Sequence, residues 1–436
     1  MLRRLAIFFM LFLTFFTLNG CTQKPVVAAF KDFEDQIVGL NLYESQQENE
    51  EPRQIVNVSD KKIVQDLLEL MGQLPKTSNP PSPWSGEKKS LVFKFRQKGQ
   101  IVASKKYPFL YKEKGPGYLQ LEDGWHQISP KFITYFLTLS QYPEASSQIN
   151  STDAAFLKKY GWTILYKIKT YNGRLPDKII HESGEYPVSL YYAYNNELSK
   201  DIDLDLTPYL GKSVTVNLYK IKEPLPAFMK PRQDANRAVI VKDGVNIIGA
   251  WLDAGRHNAF ACSLKGRKLE DITNMPWGEW LDQYINHDNP QEELISQMDP
   301  EEVIRTYYEA INHKDYRTAH ACETRKRLIG YLFRNMDNNR LYNYSYDVND
   351  DKEINNISSV KIIRIRPYNE PNFSKSTNNN QHQPENKSDV KKYVVELDVE
   401  VKQSITYDRG HQIRFITLRQ ETPSTGWRID GISTGP

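Results

Sequence analysis

The chain has 436 residues, of which 12% are aromatic and 25% are charged, and its formal net charge is +3. Aromatic residues this frequent exclude a disordered chain, and the length predicts two to four domains. The charge excludes a broadly basic nucleic-acid-binding protein. Removal of Arg3 and Arg4 with a leader would lower the net charge to +1 and leave no basic block that could neutralise a row of phosphates.

The first residues have the pattern of a secretory leader. Arg3 and Arg4 precede an apolar run at 5–18 that is interrupted only by two threonines. A membrane-spanning helix needs about 20 apolar residues, whereas the apolar region of a signal peptide has roughly 7 to 15. The length therefore favours a cleaved signal peptide, and an uncleaved anchor is the alternative.

The apolar run ends in Leu-Asn-Gly-Cys at 18–21, which resembles the lipobox of bacterial lipoproteins. The resemblance implies that residues 1–20 are removed and that the Cys21 thiol carries a diacylglycerol. It also implies a protein held at the outer face of the cell membrane, with residues 21–31 as a lipidated tether. Two acyl chains give stable anchoring, whereas one gives only marginal anchoring.

Residues 32–147 combine helical and strand patterns over a short length, which predicts an α+β domain. Ser59 and Asp60 precede an apolar stripe of helical period, and Ser59 is the expected helix cap. Polar residues around Gly99 separate two apolar runs, a pattern typical of a β-hairpin. The predicted elements are helices at 61–71 and 130–139 and a hairpin at 91–102.

Residues 150–275 form a second predicted α+β domain. Ser151-Thr152-Asp153 predicts a helix cap, and Gly161 ends that helix. The turn dipeptide Asp243-Gly244 predicts a hairpin. The predicted elements are helices at 154–160 and 191–198, strands at 162–166 and 214–221, and a hairpin at 237–251.

Three segments of this domain resemble an uncharacterised domain found in lipoproteins of clostridia-like bacteria. They are FLKKYGW, YNNELSKDIDLDLTPYLGKSVTVNLYKI and VIVKDGVNIIGAWLDAG. The resemblance supports the predicted location and implies no reaction.

A polar connector at 276–298 precedes a third predicted domain at 299–436. Asp299-Pro300-Glu301-Glu302 is a capping box, with an N-cap acceptor, a proline at the first helical position and a glutamate that reaches back. The helix that follows places Tyr307 and Tyr308 on its apolar face. Strands are predicted at 341–348, 360–366, 393–401, 413–418 and 427–432.

YYEAINHKDYRTA and GWRIDGISTGP in this domain resemble the nuclear-transport-factor-two-like cone, the SnoaL-type fold. The resemblance implies a helical start packed on a curved sheet and does not specify a function, because such cones include enzymes and binding modules. The low-complexity segment at 369–390 is expected to be a mobile loop. The fold class is thus α+β and multidomain, with antiparallel sheets, packed helices and a C-terminal cone.

The search for reactive groups gives few candidates. Asp253, Arg256 and His257 form a possible polar site, although a solvated turn is the favoured explanation. Glu396, Asp398 and Glu400 share one face of a strand, expected to be exposed and to face Arg414 or Arg419.

Metals, cofactors and disulfides have little support in the sequence. The eight histidines show no zinc-binding spacing, so we expect no metal and no cofactor. Three cysteines are too few for a disulfide scaffold, and spacing does not decide whether Cys262 and Cys322 pair.

These features favour a lipid-anchored extracytoplasmic protein of the cell envelope that binds or scaffolds a partner. The partner would be an envelope protein or a small ligand, and nucleic acid is not expected. The alternative is an enzyme with a small-molecule site in the C-terminal cone, where a possible pocket is lined by Tyr307, Tyr308, His320 and Trp427. His320 is expected at the surface, which favours binding over catalysis.

Overall fold

The computed structural model of the chain describes residues 37–44, 54–71, 74–80, 84, 86–104, 106–112, 116–140, 142, 144–229, 236–254, 260–334, 352–368, 389–404 and 407–435. The chain divides into two compact units between Gln148 and Ile149. Within these described ranges, no helix is long and apolar enough to cross a membrane. Several predictions fall outside them: the signal peptide at 1–20, Cys21 and the tether at 21–31, Arg256, His257, the strand at 341–348 and all but the last two residues of the loop at 369–390, of which Val390 lies in a strand.

The first unit is built on one antiparallel sheet with strand order β2-β1-β3-β5-β6-β7, and β4 pairs with β3 outside this path. Helices α1 (Lys61–Met71) and α2 (Pro130–Ser140) pack against each other and against β1 and β2. The strands are β1 (Ile37–Glu44), β2 (Gln54–Val58), β3 (Glu87–Gln97), β4 (Gln100–Ala103), β5 (Tyr107–Tyr111), β6 (Gly117–Leu121) and β7 (Gly124–Ile128).

Both helices and the hairpin predicted for this unit are present, but the cap of α1 is one residue from its predicted position. Asp60, not Ser59, accepts hydrogen bonds from the Lys62 and Ile63 amides. Asp60 also accepts two hydrogen bonds from Ser147. Burial alone would raise the pKa of Asp60, but these hydrogen bonds lower it, so the cap is ionised at neutral pH.

The second unit contains two four-stranded antiparallel sheets. The first has the order β11-β10-β9-β8 and carries helices α3 (Ser151–Lys159) and α4 (Val188–Lys200). Helix α4 packs along edge strand β11, where the Ala250 amide donates to Ser199 Oγ at 3.1 Å. The strands are β8 (Ile164–Arg174), β9 (Ser213–Ile221), β10 (Arg237–Asp243) and β11 (Asn246–Asp253), with short 3-10 turns at Thr207–Tyr209 and Ala227–Met229.

The cap of α3 also differs from the prediction. The Asn150 side chain, and not one from the following Ser-Thr-Asp segment, accepts from the amides of Thr152 and Asp153. The Asp153 side chain is buried instead.

The predicted polar connector is helical and partly buried. Helices α6 (Trp277–Asp282) and α7 (Pro290–Ser296) occupy it, and α5 (Leu269–Thr273) precedes it. Trp280 and Ile295 are buried, as is the charged side chain of Glu292. This segment is therefore part of the folded second unit.

The C-terminal part begins with α8 (Pro300–His313), whose capping box is formed as predicted: the Asp299 side chain accepts from the Glu302 amide, and the Glu302 side chain accepts from the Asp299 amide. Helices α9 (Tyr316–Ala321), α10 (Arg325–Arg334) and α11 (Lys352–Asn355) follow. The second sheet has the order β12-β13-β14-β15. Its strands are β12 (Ile357–Pro367), β13 (Val390–Val401), β14 (Gly410–Gln420) and β15 (Trp427–Ser433).

The predicted fold class is confirmed. Helices and antiparallel sheets pack together in more than one unit, which defines a multidomain α+β protein.

Candidate functional site

The C-terminal sheet and helix α8 enclose an apolar core. Val303, Ile304, Tyr307, Tyr308 and Ile311 all point from α8 into it, as the helical spacing predicts. The opposite wall is the inner face of β13 and β14. Two of the four predicted pocket residues, Tyr307 and Tyr308, are therefore core residues.

The other two predicted pocket residues differ from each other. Trp427 is half-buried and packs on the edge of this core, with the Lys391 ammonium 4.7 Å from its ring centre. His320 lies in the interior with 1% of its surface exposed, so the prediction of a surface histidine is wrong. The structure thus brings His320, Tyr307 and Tyr308 into the interior and leaves Trp427 at its border.

His320 is buried because an acidic side chain lies one helical turn along the chain. Its Nδ1 is 3.6 Å from Glu323 Oε2, and its ring centre is 5.1 Å from that of Tyr186. The other Glu323 oxygen, Oε1, is 3.2 Å from Arg327 Nε. Burial alone would raise the pKa of Glu323, but Arg327 and His320 lower it, so the carboxylate is ionised at neutral pH.

A second polar group occupies the same core. The Arg414 guanidinium lies 4.6 Å from the ring centre of Tyr407, and Tyr407 interacts with Tyr308. Burial raises the pKa of Tyr308 well above its usual value, so its hydroxyl keeps its proton at neutral pH. Arg414 is opposite Val395 in the strand register and therefore lies on the core face of the sheet.

The three strand carboxylates lie on the outer face, as predicted. Asp398 and Glu400 are exposed and Glu396 is half-buried. Arg366 Nε is 4.0 Å from Glu396, and Arg409 Nε is 2.9 Å from Glu400. The arginines that face them are thus Arg366 and Arg409, and the expectation of Arg414 is wrong because that residue lies on the core face.

A buried charge cluster, formed by Glu292, Arg325, Glu421 and Arg428, was not predicted. Its four side chains come from α7, α10, the end of β14 and β15, and none is more than 6% exposed. Glu292 Oε2 pairs with Arg325 Nη2, and Glu292 Oε1 is 2.9 Å from Arg428 Nη2. The two acids and two bases balance in charge, which buried ions require.

Glu421 in this cluster also caps a helix. Its two carboxylate oxygens accept from the amides of Arg325 and Lys326 at 2.7 and 2.6 Å, at the start of α10. The cluster thus joins α7 and α10 to the C-terminal sheet.

His181 is buried near this cluster. Burial lowers the pKa of His181 to about 3, and the positive charge of Arg325 acts in the same direction, so this histidine is neutral.

Of the possible polar site at the end of β11, the structure describes Asp253 but not the turn that follows it. Asp253 is completely buried, and its Oδ1 is 3.2 Å from Nη2 of Arg237, the residue opposite it on β10. Its two proposed partners, Arg256 and His257, lie outside the described residues. The buried pair Arg237–Asp253 is what the structure places here.

A further buried carboxylate, Asp153, was missed as well. Its oxygens are 2.9 Å from Lys242 Nζ, 2.7 Å from the Tyr219 hydroxyl and 2.8 Å from Asn217 Nδ2. The helix-start position of Asp153 pointed to capping, and no local pattern indicates that β9 and β10 supply three donors. This group fixes α3 on the first sheet of the second unit.

In the second unit, buried charged side chains form ion pairs, and buried hydroxyls and thiols keep their protons. Cys262 and Cys322 are both buried and both free of a disulfide, and burial raises the pKa of each thiol to about 12. In the described parts of the chain, no three His, Cys, Asp or Glu side chains are grouped so that they could hold a metal ion. The interacting ionisable side chains described inside the C-terminal core are His320, Glu323, Arg327, Tyr308, Tyr407 and Arg414.

Two regions of this α+β chain match known family models. Residues 156–252 match the model described as domain of unknown function DUF4830, and residues 301–433 match domain of unknown function DUF4829. Both regions thus fit uncharacterised domains, which confirms that part of the predicted resemblance. No curated protein and no solved structure matches the chain.

Proposed function

We propose that the chain is a bacterial lipoprotein, acylated at Cys21 and held at the outer face of the cell membrane, that binds or scaffolds an envelope partner. The observation that carries the proposal is the sequence at 3–21: two arginines, an apolar run too short to span a membrane, and Leu-Asn-Gly-Cys. The DUF4829 region is proposed to be a SnoaL-type cone, supported by helix α8 packed on the antiparallel meander β12–β15.

The core of the proposed cone supports binding rather than turnover. Its ionisable groups already interact with one another: Glu323 with Arg327, and Tyr407 with Tyr308 and Arg414. The pKa of Glu323 is lowered and that of Tyr308 is raised, so both move away from neutrality. General acid–base catalysis is most effective when the pKa of the group is near the working pH. A closed, ion-paired core favours a scaffold that binds through its surface.

The anchoring is tested by substitution of the proposed acylated residue. Cys21→Ser should abolish incorporation of a radiolabelled fatty acid and move the protein from the membrane fraction to the soluble fraction. Thr22→Ala, at the neighbouring position, is the matched control and should keep both. Acyl label on the serine variant would contradict the proposal.

An enzyme remains the second candidate, favoured by one observation: a histidine and a carboxylate lie side by side in the core of the proposed cone. If a substrate reaches them, diethyl pyrocarbonate should also modify His320 in the folded protein. The proposed closed core predicts instead that His287, whose side chain is 40% exposed, reacts while His320 is protected until the chain unfolds. Rapid modification of folded His320 would favour the enzyme.

A further inference from the structure

One segment of the first unit is strongly basic although the whole chain is nearly neutral. Residues 88–112 contain eight lysines and arginines and no aspartate or glutamate. The expectation that no basic block remains is therefore wrong for this segment. The end of β3 and the whole of β4 are joined at Lys98-Gly99 and form the part of this segment that we call the basic hairpin, residues 94–104.

The basic hairpin exposes apolar side chains that folded proteins usually bury. All four residues of β4 are exposed, with Ile101 at 62% and Val102 at 41%. In the described residues β4 pairs with β3 alone, so no further strand covers it. The Lys98-Gly99 turn has positive φ at both residues, as tight two-residue hairpin turns require, which holds the tip in a compact shape.

Cations flank the exposed Ile101 side chain. Arg96 is opposite Ile101 and Lys94 is opposite Ala103, so both cations share a face of the hairpin with Ile101. Lys98 at the turn and Lys106 beyond β4 are exposed as well. Val102 is opposite Phe95, which is buried, so the apolar tip continues into the core of the unit.

We propose that the basic hairpin is a membrane-contacting surface that binds anionic phospholipid headgroups. Lysines and arginines near a surface of anionic lipid are attracted to it, and exposed aliphatic side chains add affinity by entering the interface. A nucleic acid would use the cations but gains nothing from Ile101 and Val102, so the apolar tip favours lipid. The proposal does not depend on acylation of Cys21.

The test uses the chain from Thr22 to Pro436, which lacks Cys21 and retains every described residue, so acylation cannot contribute. The probe is sedimentation with vesicles of phosphatidylglycerol and phosphatidylcholine in equal parts, compared with phosphatidylcholine alone. We expect binding to the anionic vesicles only, and release as the salt concentration rises.

Two variants separate the two parts of the surface. Arg96→Gln with Lys98→Gln should weaken binding at least about tenfold and reduce its salt dependence, because two cations are lost. Ile101→Asn should weaken binding while leaving the salt dependence unchanged, because only the apolar contact is lost. The matched control is Lys61→Gln with Lys131→Gln, which removes two exposed cations from α1 and α2 of the same unit and should bind as the parent does.

Three results would overturn the proposal. The first is absence of binding to the anionic vesicles. The second is equal weakening by the helix control and by the Arg96 and Lys98 variant. The third is tighter binding to a single-stranded oligonucleotide that is insensitive to Ile101→Asn, which would assign the surface to nucleic acid.

Discussion

At the scale of single residues, the second unit depends on buried charges that are matched by partners far along the chain. Glu292 is the central member of its cluster because it bridges Arg325 and Arg428. Burial alone would raise the pKa of Glu292, but the two arginines lower it, so it is ionised at neutral pH. Replacement of such a carboxylate leaves two buried guanidinium groups short of a counter-charge.

Glu292→Gln should therefore lower the free energy of unfolding by about 3 to 5 kcal/mol. Urea unfolding followed by tryptophan fluorescence measures this, since Trp251 and Trp280 are buried in the same unit. Glu293→Gln, at the exposed neighbouring position, is the control and should change stability by no more than about 0.5 kcal/mol. Equal effects of the two substitutions would show that the cluster does not stabilise the fold.

The two buried thiols predict a loss of stability in alkali. In the folded chain the pKa of both Cys262 and Cys322 is about 12, whereas in the unfolded chain the thiols have their ordinary pKa of 9.0. The unfolded state is therefore favoured as pH rises above about 9, by about 1.4 kcal/mol per pH unit for each thiol. Below about pH 9 both thiols are protonated in the folded and in the unfolded chain, so they do not make the free energy of unfolding depend on pH.

The measurement is urea unfolding at about pH 8 and about pH 10. Between these values the doubly substituted chain, Cys262→Ala with Cys322→Ala, should lose about 3 kcal/mol less stability than the parent. Tyrosines contribute equally to both chains and cancel in the comparison. The same pH dependence in both chains would mean that the thiols are not shielded from water.

At the scale of elements, apolar periodicity predicted some of the helices and strands, and hydrogen-bond geometry determined their ends. Helix α8 and its capping box were predicted because the acceptor, the proline and the returning glutamate lie within four residues. At α1 and α3 the cap falls on Asp60 and Asn150, one residue before the helix bounds. Several neighbouring residues there could accept the amides, and the sequence does not distinguish them.

The cap of α8 gives a prediction at this scale. Asp299→Ala should destabilise the second unit by about 1 kcal/mol, within a range of roughly 0.5 to 2, because two amides lose their acceptor. Thermal unfolding followed by circular dichroism measures the change. Asp288→Ala, at an exposed position before α7, serves as the control. A loss no greater than that of the control would mean that water replaces the cap at no cost.

At the scale of the whole molecule, the two matched regions of the second unit share one folded interior. The Phe333 ring of α10 lies 5.1 Å from that of Tyr191 on α4 and 5.0 Å from that of Phe260. The charge cluster adds ionic contacts between the connector and the C-terminal sheet. Neither the DUF4830 region nor the connector is therefore expected to be stable without the DUF4829 region.

A chain of residues 149–298 should consequently fail to fold, whereas residues 149–436 should fold. The shorter chain loses Arg325, Arg428 and Phe333, which leaves Glu292 without a counter-charge and removes one wall of the aromatic cluster. Amide chemical-shift dispersion in NMR spectra distinguishes the two outcomes. Well-dispersed signals from residues 149–298 alone would demonstrate an independent domain.

What the sequence could not predict follows from distance along the chain. The local pattern around Glu292 is that of a polar connector, and its partners Arg325 and Arg428 are 33 and 136 residues away. The same holds for Asp153 and Lys242, separated by 89 residues. His320 was expected at the surface because polar side chains usually lie there, and its burial depends on Glu323 and Arg327 sharing the interior. Helix α8 and the strands of the C-terminal sheet were thus predicted, whereas helices α9 and α10 and the ion pairs of the candidate site were not.

We propose above all that the mature protein begins at an acylated cysteine. Mass spectrometry of the N-terminal peptide, prepared from membranes of cells that express the chain, tests this most directly. We expect a peptide that begins at Cys21 and carries a diacylglycerol on the thiol. A peptide that continues upstream of Gly20 and contains an unmodified Cys21 would contradict it.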